Sequence, residues 1–189
     1  ILGRLLGLFF LMPLIFLFIV KKKEHLSTCF IILLLIIFQG VIGWYMVKSG
    51  LVNNITVSHY RLSLHLTTAI IIISSIFWIL LNLRKKTNNS FFTNVKKHYF
   101  FYFLFFLIFF QIIFGAFVSG LDAGQLYQTW PLMNYSYFPD DVLLGTVKDF
   151  FNFNDHGLVQ FYHRNLAYII CVYIVIIGFY IYRNNVNRL

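Results

Sequence analysis

The stretch Tyr99-Phe-Phe-Tyr-Phe-Leu-Phe-Phe-Leu-Ile-Phe-Phe-Gln-Ile-Ile-Phe-Gly-Ala-Phe-Val-Ser-Gly120 decides the class of this fold. It carries no charged side chain and reaches the roughly 20 helical residues needed to cross a ~30 Å hydrocarbon core. Four more apolar runs share this character: Ile1–Val20, roughly Leu26–Val47, roughly Tyr60–Leu83 and roughly Gly157–Tyr182. In lipid a backbone must satisfy its own polar groups, which a helix does and an isolated extended run does not. The expected fold is therefore an all-α polytopic membrane protein with five transmembrane helices in this chain. No cleavable leader is recognisable before the first run. The chain opens in mid-pattern without Met, so it reads as an internal fragment.

Composition agrees. Hydrophobic residues make up 60% and charged residues 11% of the 189 residues. Mean hydropathy is +0.79. Soluble domains average about 45–50% apolar and about 25% charged. The net charge of +9 does not indicate nucleic acid, because the basic residues sit in short loops between apolar runs, where they record membrane orientation. Lys21, Lys22 and Lys23, then Arg84, Lys85, Lys86, Lys96 and Lys97, then Arg183 and Arg188 mark one side. The opposite side has Lys48 in one loop. Its other loop, 121–156, has Lys148 with Asp122, Asp140, Asp141, Asp149 and Asp155. The positive-inside rule makes the first set cytoplasmic, and the long loop then lies outside. Cys29 and Cys171 fall within apolar runs, so no structural disulfide is expected and Cys171 reads as a small packing residue.

His65 and His163 each lie about two turns inside the outer end of an apolar helix. Ionisable groups are costly there and mark candidate functional sites, and imidazole is an axial ligand to haem iron. Read alone, the two rings suggest a haem near the outer surface, with a hydrogen-bonded packing histidine as the alternative for each. His25 and His98 belong to the cytoplasmic boundary. His59 and His156 read as loop or cap residues just outside their helices. Arg164, Arg61 and Arg4 lie near the same outer ends, where a guanidinium can grip a propionate carboxylate bidentately or snorkel to the interface. Gln160 joins His163 on one polar stripe. Gln39 and Gln111 are buried amides that either bridge helices or touch a cofactor edge.

There is an internal echo. Gln39-x3-Gly43 precedes the helix of His65, and Gln111-x3-Gly115 precedes the helix of His163. Repeated helix pairs are common in membrane proteins and place sites at repeat interfaces. The other stripe glycines read as close helix packing.

Gly120-Leu-Asp-Ala-Gly124, Thr129-Trp-Pro-Leu-Met133 and Leu158-Val-Gln-Phe-Tyr-His-Arg164 resemble the haem A synthase family. Gln39-Gly-Val-Ile-Gly-Trp-Tyr-Met-Val-Lys-Ser-Gly-Leu51 and Val57-Ser-His-Tyr-Arg-Leu-Ser-Leu-His65 are similar to the same family. The likeness covers nearly the whole chain. It is greatest to the form shared by mitochondria and Gram-negative bacteria, which lacks an outer-loop cysteine pair.

This resemblance implies an eight-helix protein made of two pseudo-symmetric four-helix bundles. It implies oxidation of a ring methyl of haem O to a formyl group, giving haem A for terminal oxidases. Haem b is the implied cofactor and haem O the substrate. Residues 1–83 then belong to the amino-terminal, substrate-haem half and 84–98 to a cytoplasmic linker. Residues 99–189 belong to the carboxy-terminal, haem b half, with outer loop 121–156. His65 matches one histidine of the substrate-side pair and His163 one of the haem b pair. By resemblance the two rings serve different irons, whereas the bare residues would pair them on one. Gly3-Arg4 match the end of a motif whose glutamate lies upstream of this chain, so no catalytic residue is assigned and the fragment alone is expected to be inactive. Arg164, Arg4, Arg61, Gln111 and Gln160 are the expected haem-contacting residues. Membrane lipid, a haem O synthase as donor, an electron-transfer partner and a second copy of the chain are the expected partners. The implied location is a bacterial inner membrane, with the histidines near the periplasmic face, in preference to the mitochondrial inner membrane. A cytochrome b-like electron-transfer subunit is the alternative function. A transporter is disfavoured, since only Pro13 interrupts a helix and no intramembrane carboxylate is visible.

Overall fold

The computed structural model describes residues 2–20, 25–48, 50, 56–85, 99–143 and 145–183. It contains five α-helices: α1 Leu2–Ile19, α2 Leu26–Val47, α3 His59–Lys85, α4 Tyr99–Gly120 and α5 His156–Arg183. Two short 3-10 turns, Ala123–Gln125 and Asp149–Phe151, lie between α4 and α5. Among the described residues there is no strand, only an isolated bridge between Met133 and Ser136. The all-α expectation holds. Among the described residues, four segments are long and apolar enough to cross a membrane: Leu26–Val47, His59–Arg84, Tyr99–Gly120 and His156–Arg183. At 1.5 Å per residue the 22 residues of α2 and of α4 each span about 33 Å. The described side chains of α1 form a shorter apolar helix, Gly7–Ile19.

The chain divides into two compact units, Ile1–Thr93 and Asn94–Leu189. In the first, α2 packs against both α1 and α3. Its core is Cys29, Ile32, Ile72 and Ile79, with Phe10, Leu14 and Leu17 from α1 and Trp78 from α3 packed against it. Gly7 of α1 faces Ile36 of α2. In the second unit, α4 packs along α5. Phe153 of the connecting loop lies 5.8 Å, centroid to centroid, from both Phe114 and Phe117 of α4. Tyr162 of α5 approaches Phe114 at 5.7 Å. Large apolar side chains elsewhere are exposed, among them Phe9, Phe105 and Val175, as a helix bordered by lipid requires.

Three expectations change. His59 and His156 are the first residues of α3 and α5, not residues outside them. Asp155 is the reason at α5: its carboxylate accepts the N–H of Leu158 at 2.9 Å and its carbonyl that of Val159 at 3.1 Å, so the helix starts directly after it. Cys171 is exposed rather than packed, whereas Cys29 is buried. Nothing lies within 4 Å of a Cβ built on Gly178, so that stripe position makes no close approach among the described residues. His98 and the linker from residue 86 to 98 lie outside the described residues.

Candidate haem-ligand histidines and their helix pairs

α2 and α3 bring Gln39 to His65. The Gln39 amide nitrogen donates to the backbone carbonyl of His65 at 2.9 Å and lies 3.4 Å from its ring Nε2. One turn further along α2, a Cβ built on Gly43 would stand 3.1 Å from Cε1 of the same ring. Residues i and i+4 share a helix face, so amide and glycine hold one ring between them. α4 and α5 repeat the arrangement. The Gln111 amide nitrogen lies 3.1 Å from Nδ1 and 3.3 Å from Nε2 of His163. A Cβ on Gly115 would stand 3.2 Å from Cε1. The sequence echo is thus a repeated contact. The sequence alone leaves Gln39 open between a helix bridge and a cofactor contact; the Gln-x3-Gly spacing it shares with Gln111 is the signal for the contact it makes.

Each clasp leaves polar atoms unused. Ring Nδ1 of His65, Oε1 of Gln39 and Oε1 of Gln111 are buried and find no partner among the described residues. Burying such atoms without a hydrogen bond is costly, so these sites suit a further ligand. A haem fits the donor set, since one imidazole nitrogen can bind iron while the other keeps its proton. No group of three or more His, Cys, Asp or Glu side chains that could hold a bare metal ion exists among the described residues.

Above His163, Arg164 and Gln160 are engaged with the loop. Gln160 is 4% exposed. Its Oε1 accepts the N–H of Tyr127 at 3.2 Å, and its Nε2 donates to the carbonyls of Tyr127 at 2.9 Å and Gly124 at 3.5 Å. Arg164 Nη1 donates to the Thr129 carbonyl at 2.8 Å and Nη2 to the Tyr127 carbonyl. Two of its five N–H donors suffice for these bonds, so others remain for a carboxylate. Arg61 lies 3.7 Å from the centroid of the Tyr45 ring and donates to the Tyr45 carbonyl at 2.9 Å. The Arg4 side chain lies outside the described residues.

Asp141 and Asn165 had no recognisable site signal in the sequence. The buried Tyr127 hydroxyl donates to the Asp141 carboxylate, and Tyr137 donates to the Asn165 side-chain oxygen. Burial, reinforced by the Asp141 hydrogen bond, pushes the Tyr127 phenol up to about 12. Asp149 accepts the N–H groups of Thr146 and Gly145 at 2.6 and 2.9 Å. The Thr146 amide first, then its hydroxyl, holds that carboxyl below the usual range. Asp122 occupies the left-handed region at φ 54° and makes no capping side-chain hydrogen bond. A cleft of about 520 Å³ opens among Leu126, Asp141, Asn152, Asn154, Asp155 and His156. His163 does not line it, so the loop cleft and the ring are separate features.

The cytochrome oxidase assembly protein family matches residues 1–189. The chain belongs to that family. Among its relatives, the heme A synthase of Pelagibacter ubique is 42% identical over 181 residues, covering 95% of this chain and 53% of that protein. The heme A synthase of Flavobacterium psychrophilum is 40% identical over 182 residues, covering 94% and 53%. That of Rickettsia bellii is 39% identical over 180 residues, covering 93% and 53%. The chain spans about half the length of these relatives. No solved structure matches it. The resemblance to haem A synthases stated from the motifs is therefore borne out, and the apolar helices and the family together make this a multi-pass membrane protein.

Proposed function

We propose that this chain forms the central part of a haem A synthase, an oxidoreductase that converts a ring methyl of haem O to a formyl group. The observation that carries the reading is the pair of imidazoles, each held between a glutamine and a glycine on the neighbouring helix, with buried polar atoms left unused. His163 would ligate haem b in the unit formed by residues 99–189. His65 would ligate the substrate haem in the unit formed by residues 1–83, with 84–98 as the linker between them. Haem iron, when bound, supplies the redox chemistry, and the protein supplies ligation, orientation and shielding. Arg164, already tied to the loop, would offer its remaining donors to a propionate, as would Arg61 and Arg4. Gln160 would fix the loop backbone beside that edge, and Gln111 would contact the ring of His163.

The same reading assigns a bacterial inner membrane, with the histidine-bearing ends of the helices facing the periplasm, on the strength of the loop charges. A haem O synthase as donor, an electron-transfer protein, lipid and a second copy of the chain are the partners it implies. Low-spin haem of this type takes two axial ligands. Each unit described here brings one imidazole of this kind, so residues 1–189 alone are proposed not to complete the reaction. The test is production of haem A in cells that lack their own synthase but make haem O. Extracted haem from cells expressing the complete gene product should contain haem A on chromatography. Haem O and haem b alone, with the protein present in membranes, would overturn the assignment.

A further inference from the structure

We propose that Gln111 is a positioning residue that sets the hydrogen-bond state of His163 when that ring serves as an axial ligand. The inference rests on the haem reading above and adds to it a determinant of the haem potential. When one imidazole nitrogen binds iron, the other carries the proton and needs an acceptor. His163 lies within a strongly apolar helix, where an unaccepted N–H is costly. The Gln111 amide sits 3.1 Å from Nδ1 and 3.3 Å from Nε2, within reach of whichever nitrogen is left protonated. Its own Oε1 is buried without a partner. A half-turn of the amide exchanges donor for acceptor and carries that oxygen to the ring. Gly115, one turn along the same helix, lets α4 approach the ring closely, since a Cβ there would stand 3.2 Å from Cε1.

Gln39 is placed differently. Its amide nitrogen also donates to the His65 carbonyl at 2.9 Å, so a half-turn would break an existing bond. Gln111 has no such second anchor among its described contacts. The acceptor role is accordingly assigned to Gln111, and Gln39 is left as a bridge between α2 and α3.

An acceptor on the remote N–H makes the imidazole a more basic ligand and favours ferric iron. In the complete protein, Gln111→Leu should shift the midpoint potential of the His163-dependent haem upward. Gln111→Glu keeps an acceptor oxygen in either protonation state, so its potential should stay at or below that of the unmodified protein. Redox titration followed by absorption spectroscopy reads both. An unmoved potential in Gln111→Leu, or an upward shift in both variants, would overturn the proposal while leaving the haem reading intact. If Gln111→Leu loses the haem, Gln111→Glu must still retain it, and loss in both also overturns the proposal. A haem signal that survives His163→Ala unchanged would instead sink the haem reading and the proposal with it.

Discussion

The two helix pairs share a ring clasp and differ in what surrounds it. In α2–α3 and in α4–α5 a glutamine and a glycine one turn apart confine an imidazole from the next helix. Beyond the rings the likeness ends. The link between α4 and α5 is a folded loop whose backbone carbonyls are gripped by Gln160 and Arg164. In the first unit Arg61, one turn before His65, reaches back to Tyr45 of α2. Among the described residues, the repeat keeps the glutamine and glycine that meet each ring, while the cations of the two units take different partners.

The largest effect expected from breaking this comparison is steric and lies where each connection meets its helix pair. A Cβ on Gly50 would stand 2.2 Å from the backbone oxygen of Thr56. Backbone cannot step aside cheaply, so Gly50→Ala should cost about 3 kcal/mol or more, beyond most overpacking. A Cβ on Gly157 would meet the end of the Asp141 side chain at 2.6 Å, with Val142 and Pro139 at 3.0 and 3.2 Å. A carboxylate can swing away, so Gly157→Ala should cost about 1–3 kcal/mol. Denaturation of the detergent-solubilised protein, followed by tryptophan fluorescence, would rank them. The reverse order would mean that the first connection is the more adaptable.

A smaller effect sharpens the contrast between the two cations. Arg164→Leu removes two charged donors from the Tyr127 and Thr129 carbonyls. Hydrogen bonds to charged groups contribute about 1.5–3 kcal/mol, so amide exchange in the loop around Tyr127 should quicken roughly 10–100-fold. Arg61→Leu removes a single bond, to the Tyr45 carbonyl, at an exposed position and should quicken exchange near residue 45 by about tenfold, the lower end of the same range. Equal responses in hydrogen-exchange mass spectrometry would show that the two cations hold their units alike.

Much of this architecture was legible because lipid imposes one rule on every span. Uncharged runs such as 99–120 have no alternative to helix, and the Gln-x3-Gly echo marked the residues that meet each ring without showing that they meet it. What escaped reading involves atoms that carry no sequence identity. Gln160 and Arg164 bind main-chain carbonyls, and nothing in the loop's side chains announces which carbonyls those are. Tyr127 is buried by the same folding of the loop, and its link to Asp141 spans residues that no local spacing relates. The helix starts at His59 and His156 moved by one residue because caps act at that scale. Cys171 was misread because a small apolar side chain suits a lipid-facing position as well as a packed one.

His65 and His163 are proposed to serve separate haems, one in each unit. The most direct measurement is the pyridine haemochrome and low-temperature absorption spectrum of the complete protein carrying His163→Ala, His65→Ala or His25→Ala. His163→Ala should deplete or convert the low-spin haem b signal. His65→Ala should leave most haem b in place while stopping haem A formation, and His25→Ala should do neither. Loss of the same haem from both His163→Ala and His65→Ala would contradict the account, because it would put the two rings on one iron.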